Sequence, residues 1–219
     1  AEFANWESTQ PYERLTDEYT AYNAQKVHAL SEQREFGSYQ ALLTMPVGTD
    51  NPDMPALQVF RHILGDSQLS SRLAQELREK NALVYGFGAD VNFSDWNESG
   101  ALLISANYTA GKSAQVSQAV HKVLQEMLNK GITEQELEAA KATMLKKRLT
   151  ALEDDRRIHS MLIPQLEKGR TLLEREKRDQ AIATLTKADI DQVIKKYIRL
   201  DQLVEVMADQ YGQPQVSKK

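Results

Sequence analysis

The chain has 219 residues, 41% of them hydrophobic and 26% charged, with a net charge of −4 and no cysteine. That is one large domain or two small ones, able to bury roughly 70% of the surface that the unfolded chain exposes. The charge balance excludes general nucleic-acid affinity, which needs a basic face. The missing cysteines exclude disulfides and thiolate metal sites, and no apolar run approaches the ~20 residues of a membrane span.

Residues 1–35 are polar and dotted with aromatics (Trp6, Tyr12, Tyr19, Tyr22). They read as a linker with one edge strand near Gln25–Leu30. No secretory signal pattern opens the chain, and a first residue Ala1 in place of Met reads as a processed or excised piece. Tyr39, Ala41, Leu43 and Met45 alternate along a strand over Phe36–Pro46. After a loop at Val47–Asp53, a helix from Pro55 to Leu64 carries the stripe Leu57, Phe60, Ile63, Leu64 and stops at Gly65. Ser70 or Ser71 caps the next helix, which ends near Lys80. From Leu83, the alternation Leu83, Tyr85, Phe87 reads as a strand.

Two strands, Leu83–Phe93 and Ala101–Thr109, are joined by a hairpin-like loop. Ser113–Lys130 is amphipathic, with Val116, Val120, Val123 and Met127 on one face, and Gly131 ends it. Thr133 and Glu136 form a capping box for a helix to about Leu152. Further helices are expected at Asp154–Leu166, Leu172–Leu185 and Thr186–Ile198, then a strand at Asp201–Ala208. Pro164 either kinks the first of these or lies outside it. The order is not regular strand–helix alternation. It predicts an α+β domain, a two-layer mixed sheet with helices packed on one face. Residues 36–208 form that domain, and 209–219 a tail.

Chemistry needs more than one plausible group. The four histidines, His28, His62, His121 and His159, show neither HExxH nor HxxEH spacing. The pairs His62/Asp66 and Asp155/His159 supply two donors each, where catalytic zinc takes three. The serines of Gly65–Ser71 are explained by capping and a tight turn. The basic residues from Lys141 to Arg157 interleave with acids and read as a solvated face. Arg78 and Tyr85 stand out by position, seven residues apart across a helix-to-strand transition. A cation and a phenolic donor leaving a helix end can converge on a peptide carbonyl. Neither can cleave a peptide alone. Taken singly, Arg78 favours a helix C-terminus and Tyr85 is an ordinary strand tyrosine.

Residues 52–90 tip the balance. They hold Ile63-Leu64-Gly65, then Ser70-Ser71-Arg72-Leu73, Leu77-Arg78-Glu79-Lys80 and Leu83-Val84-Tyr85-Gly86. Downstream come Ile132 to Leu137 with Ala140-Lys141, and Leu185 to Ile190. Over Phe36 to Ala208 this resembles the C-terminal half-domain of the pitrilysin/insulinase zinc metallopeptidases, the inverzincins. The resemblance implies two homologous half-domains closing like a clamshell on an extended peptide. Zinc would sit on HxxEH in the other half, which this chain lacks. The resemblance makes Arg78 and Tyr85 the catalytic contribution of this half. Tyr85 would donate toward the carbonyl oxygen that becomes an oxyanion, and Arg78 would hold a neighbouring carbonyl or orient Tyr85. The chain alone is expected to bind no metal or cofactor and to hydrolyse nothing. Its expected partners are a zinc-bearing half-domain or subunit and an extended peptide. The alternatives are a non-catalytic assembly subunit of the same superfamily and a stand-alone peptide-binding module.

Overall fold

The computed structural model describes residues 7, 9–15, 19–32 and 35–212. Parts of the expected linker, and the tail from residue 213, lie outside them.

Five strands form one mixed sheet in the order β1-β5-β2-β4-β3. They are β1 (Gln25–Leu30), β2 (Phe36–Met45), β3 (Val84–Phe93), β4 (Gly100–Thr109) and β5 (Val204–Asp209). β1 runs parallel to β5, and the other neighbours are antiparallel. The strand expected near Gln25–Leu30 is thus one edge of the sheet, and β3 is the other.

The alternation in β2 does what a period of two requires. Tyr39, Ala41, Leu43 and Met45 are buried on one face. Leu102, Ile104, Ala106 and Tyr108 of β4 join them. Helices cover this face, with buried residues such as Phe60 of α1 (Met54–Arg61) and Val120 of α2 (Ser113–Lys130). α3 (Glu134–Thr150) adds Leu137, and α6 (Lys187–Tyr197) adds Ile190 and Ile194. The opposite face, carrying Phe36, Gln40, Leu42, Asn107 and Val206, has no helix on it among the described residues and is exposed or half-buried. α4 (Asp155–Glu167) and α5 (Leu172–Thr184) complete the helices, and α4 runs through Pro164.

The capping box of α3 is formed. The Glu136 amide donates to Thr133 Oγ1 at 3.1 Å, and the Thr133 amide donates to Glu136 at 2.7 Å. α2 ends at Gly131, where φ is +69° and ψ −158°, a region only glycine enters freely. The Asp191 carboxylate also occupies the space a β-carbon would need, while accepting the Ile132 amide at 2.9 Å. Gly131→Ala is therefore expected to cost about 2 kcal/mol, combining backbone strain and a displaced carboxylate. Urea unfolding of the variant checks this, and an unchanged midpoint would contradict it.

Candidate active-site half

The helix before β3 is not a plain α-helix. Residues Ala74–Lys80 form a π-helical segment, as do His62–Asp66 at the end of α1. The wider turn still buries Leu73, Ala74 and Leu77 while leaving Arg78 exposed. Ser71 Oγ accepts the Ala74 amide at 3.3 Å, the expected N-terminal cap.

Glu76 locks the segment in place. It is buried, and it accepts Lys122 Nζ of α2 at 2.6 Å and Lys80 Nζ at 3.3 Å. Asn81 Nδ2 donates to the Glu76 carbonyl at 2.6 Å. Burial alone would raise the Glu76 pKa, but the lysine hydrogen bonds outweigh it and hold the carboxyl below its usual value. Sequence reasoning passed over Glu76. Its only local signal is the Glu76/Lys80 spacing of four, which is common on surfaces.

The exit from the helix is tight. Ala82 has φ +45°, its amide donates to the Arg78 carbonyl at 3.1 Å, and the Leu83 amide donates to the Leu77 carbonyl at 2.8 Å. This is a Schellman-like cap widened by one residue. A β-carbon in left-handed backbone is strained. Ala82→Gly is expected to raise stability by about 0.5–1 kcal/mol, the relief exceeding the extra entropy of the unfolded glycine chain. A lower thermal midpoint would overturn that.

The expected alternation of Leu83, Tyr85 and Phe87 breaks at the middle residue. Leu83, Val84 and Phe87 are buried, whereas Tyr85 is 65% exposed. The cause is a bulge: Val84 pairs with Tyr108, but Gly86 pairs with Asn107. Tyr85 is the extra residue, and the bulge turns its side chain onto the helix-free face. There the Phe36 ring meets it edge-on, with centroids 4.7 Å apart and planes at 82°. Among the described residues, neither the Tyr85 hydroxyl nor the Arg78 guanidinium has a hydrogen-bond or ion-pair partner. The structure does not join the two to each other.

The β3 edge beside them is partly closed. Gln68 Nε2 donates to the Phe87 carbonyl at 2.9 Å. The π-helical turn presses Gly65 so close that a β-carbon there would lie 2.7 Å from the Ala89 β-carbon and 2.9 Å from its amide nitrogen.

Three histidines are tied to carboxylates. His62 Nδ1 lies 2.8 Å from Asp66, His28 Nε2 2.9 Å from Asp209, and His121 Nε2 3.0 Å from Glu205. Each pair offers two donors, already engaged by Arg61 and Lys147, by Tyr108, or by Lys26, Ser117 and Tyr39. Among the described residues no three histidine or acidic side chains are grouped to hold a metal. The donor sets among the described residues therefore do not fit a catalytic zinc.

The profile described as the peptidase M16 inactive domain matches residues 1–144. A zinc protease of Mycobacterium leprae is 37% identical over 99 residues, 45% of this chain and 22% of that protein. A zinc protease of Bacillus subtilis is 34% identical over 97 residues, 44% of this chain and 23% of that protein. In three dimensions the chain is similar to a peptidase M16 inactive domain from Pseudomonas fluorescens, with a TM-score of 0.80 at 23% identity. That match covers 96% of this chain and 48% of the other. The inactive peptidase domain of a Bordetella parapertussis zinc protease matches with a TM-score of 0.68 at 18% identity, covering 84% of this chain and 96% of that one. The chain thus spans about half the length of the Pseudomonas structure and a smaller share of the curated relatives. With the mixed sheet, the one-sided helices and the profile match in agreement, the chain belongs to the M16 peptidase family, as one of its inactive domains.

Proposed function

We propose that this domain is the substrate-binding, catalysis-assisting half of a zinc-dependent metalloendopeptidase. One observation carries the reading. Tyr85 is bulged out of β3 onto the open sheet face, with its ring pinned by Phe36 and its hydroxyl unpartnered. A fixed donor without a partner matches what a developing oxyanion requires. In this reading the Tyr85 hydroxyl donates to the carbonyl oxygen of the peptide bond under attack. The Arg78 guanidinium, also unpaired, grips an adjacent carbonyl and so fixes the peptide's register. The metal and the nucleophilic water come from a companion half bearing HxxEH. The peptide lies extended across the open face, where Ser38, Gln40, Ser105 and Asn107 form a polar patch flanked by Phe36, Leu42 and Leu103. It does not extend the sheet at Phe87–Ala89, because Gln68 and the turn at Gly65 fill that edge.

A pure assembly subunit would gain nothing from a guanidinium and a phenol that both lack a partner among the described residues. The test is hydrolysis of an internally quenched extended peptide. The complete polypeptide carrying this domain is expected to cleave it with zinc and to stop when chelated, while the 219-residue chain alone stays inactive. A zinc-loaded complete polypeptide that cleaves no peptide in a broad library would overturn the reading.

A further inference from the structure

Residues 78–82 are exposed one after another, between the buried Leu77 and the buried Leu83. This turn links the two candidate site residues: Arg78 opens it, and Tyr85 follows its end. The Arg78 side chain has no hydrogen bond or ion pair among the described residues. Its guanidinium therefore sits wherever the backbone of the turn carries it. An exposed helix end with few buried contacts opens easily, so something must hold this one.

Every side-chain hydrogen bond that residues 78–82 make among the described residues goes to Glu76. Asn81 Nδ2 donates to the Glu76 carbonyl at 2.6 Å and to its Oε1 at 3.3 Å, and Lys80 Nζ donates to Oε2 at 3.3 Å. Oε1 also accepts Lys122 Nζ from α2 at 2.6 Å, and the Glu76 side chain is only 7% exposed. One buried carboxylate thus ties the end of the turn back to its start, and ties both to α2. The backbone closes the same loop, since the Asn81 and Ala82 amides both donate to the Arg78 carbonyl. α2 is in turn fixed in the core by Val116, Val120 and Val123. The sheet under it carries Tyr85.

A carboxylate suits this place because every side-chain group that reaches it is a donor, two of them ammonium groups. Hydrogen bonds of that charged kind are about twice as strong as neutral ones. A glutamine of the same shape would turn an amide N–H2 towards one of those donors and leave it without an acceptor.

We propose that Glu76 is a positioning residue for peptide binding: through Asn81, Lys80 and Lys122 it holds the 78–82 turn, and with it the Arg78 guanidinium, in a fixed place relative to Tyr85. Glu76 itself does not touch the peptide. This rests on the reading of Arg78 and Tyr85 above. Accurate placement matters, because a shift of about 1 Å at a positioning group can lower a rate on the order of 100-fold.

Glu76→Gln in the complete polypeptide is expected to raise KM for an extended peptide about 10-fold. Lys122→Met is the second variant. That side chain is 51% exposed, so its loss leaves the fold standing while removing the shortest bond to the Glu76 carboxylate. It is expected to raise KM about 3-fold. Glu205→Gln, in the core away from the turn, controls for instability alone and should lower the thermal midpoint with KM unchanged. The deciding comparison is Glu76→Gln in an Arg78→Ala background, with Lys122→Met in its place should Glu76→Gln fail to fold. If Glu76 acts by placing Arg78, its effect on KM shrinks there to less than about 2-fold, while the fall in thermal midpoint stays the same in both backgrounds. An equal rise in KM with and without Arg78 overturns the proposal, because the loosening is then general. An unchanged KM in Glu76→Gln and Lys122→Met, beside a KM raised by Arg78→Ala, overturns this inference alone. Arg78→Ala that leaves both kcat and KM untouched overturns the reading of Arg78, and this inference with it.

Discussion

Tyr85→Phe is expected to lower kcat of the complete enzyme about 100-fold while KM moves by less than about 3-fold. The change removes one oxygen atom. The ring remains to meet Phe36 edge-on, and among the described residues the hydroxyl makes no bond, so folding has nothing to lose. In the ground state a neutral carbonyl gains little from one more donor. As the carbon becomes tetrahedral its oxygen takes on charge, and the same donor becomes worth about 3 kcal/mol. An interaction made only in the transition state appears in kcat and not in KM. Arg78→Ala should instead act largely on KM, because a guanidinium holding a carbonyl beside the reacting bond binds both states alike. Steady-state kinetics on one peptide decides both. An unchanged kcat in Tyr85→Phe would end the proposed role for the phenol.

Glu205→Gln is expected to cost about 3 kcal/mol of stability near neutral pH. Glu205 lies in β5 under the helices, 2% exposed. It accepts Tyr39 Oη at 2.8 Å, Ser117 Oγ at 2.6 Å and Lys26 Nζ at 3.0 Å, with His121 Nε2 at 3.0 Å. Burial favours the neutral acid. The hydrogen bonds from His121, Ser117, Lys26 and Tyr39 outweigh it and bring the pKa down to about 2. Glutamine keeps the shape but offers one acceptor oxygen and no charge, leaving Lys26 and His121 facing an amide. The sign of the pH dependence follows. A pKa depressed from 4.5 to about 2 gives stability that is full above 4.5 and is lost as pH falls through about 2. Asp209, whose pKa is also lowered, adds in the same direction. The gap between wild type and Glu205→Gln should therefore shrink on acidification. A gap that stays constant from neutral pH to about 2.5 would show that the charge contributes nothing.

Much of the scaffold was legible because its patterns are local. Tyr39, Ala41, Leu43 and Met45 announced a strand and its buried face. Thr133 with Glu136 announced a helix start, and the Gly131 stop is where the backbone turns to positive φ. The π-helical segments were not legible: over a single turn, Leu73 and Leu77 satisfy an α-helical and a wider spacing equally well. The bulge was hidden for a similar reason. An aromatic between two buried apolar residues looks like one more inward side chain, and only the pairing of β3 with β4 shows that Tyr85 has no place in the ladder. Glu205 was hidden by chemistry. A carboxylate reads as solvent-facing, and its partners Lys26, Tyr39, Ser117 and His121 lie far from it in sequence.

β5 is the last of the described strands, yet it sits between the first two of them, parallel to β1 and antiparallel to β2. On the ribosome, β2 and β4 can pair early, but the inner edge of β2 has no neighbour until Val204–Asp209 has emerged. At ~5–20 residues per second, the interval between Met45 and Asp209 is on the order of 10–30 s. Throughout it, an apolar strand stands with open backbone groups, a template for pairing with another nascent chain. The sheet closes only after synthesis of the domain is nearly complete, so a chain cut short before β5 retains every residue of the Arg78–Tyr85 segment and still lacks the strand that makes the sheet continuous.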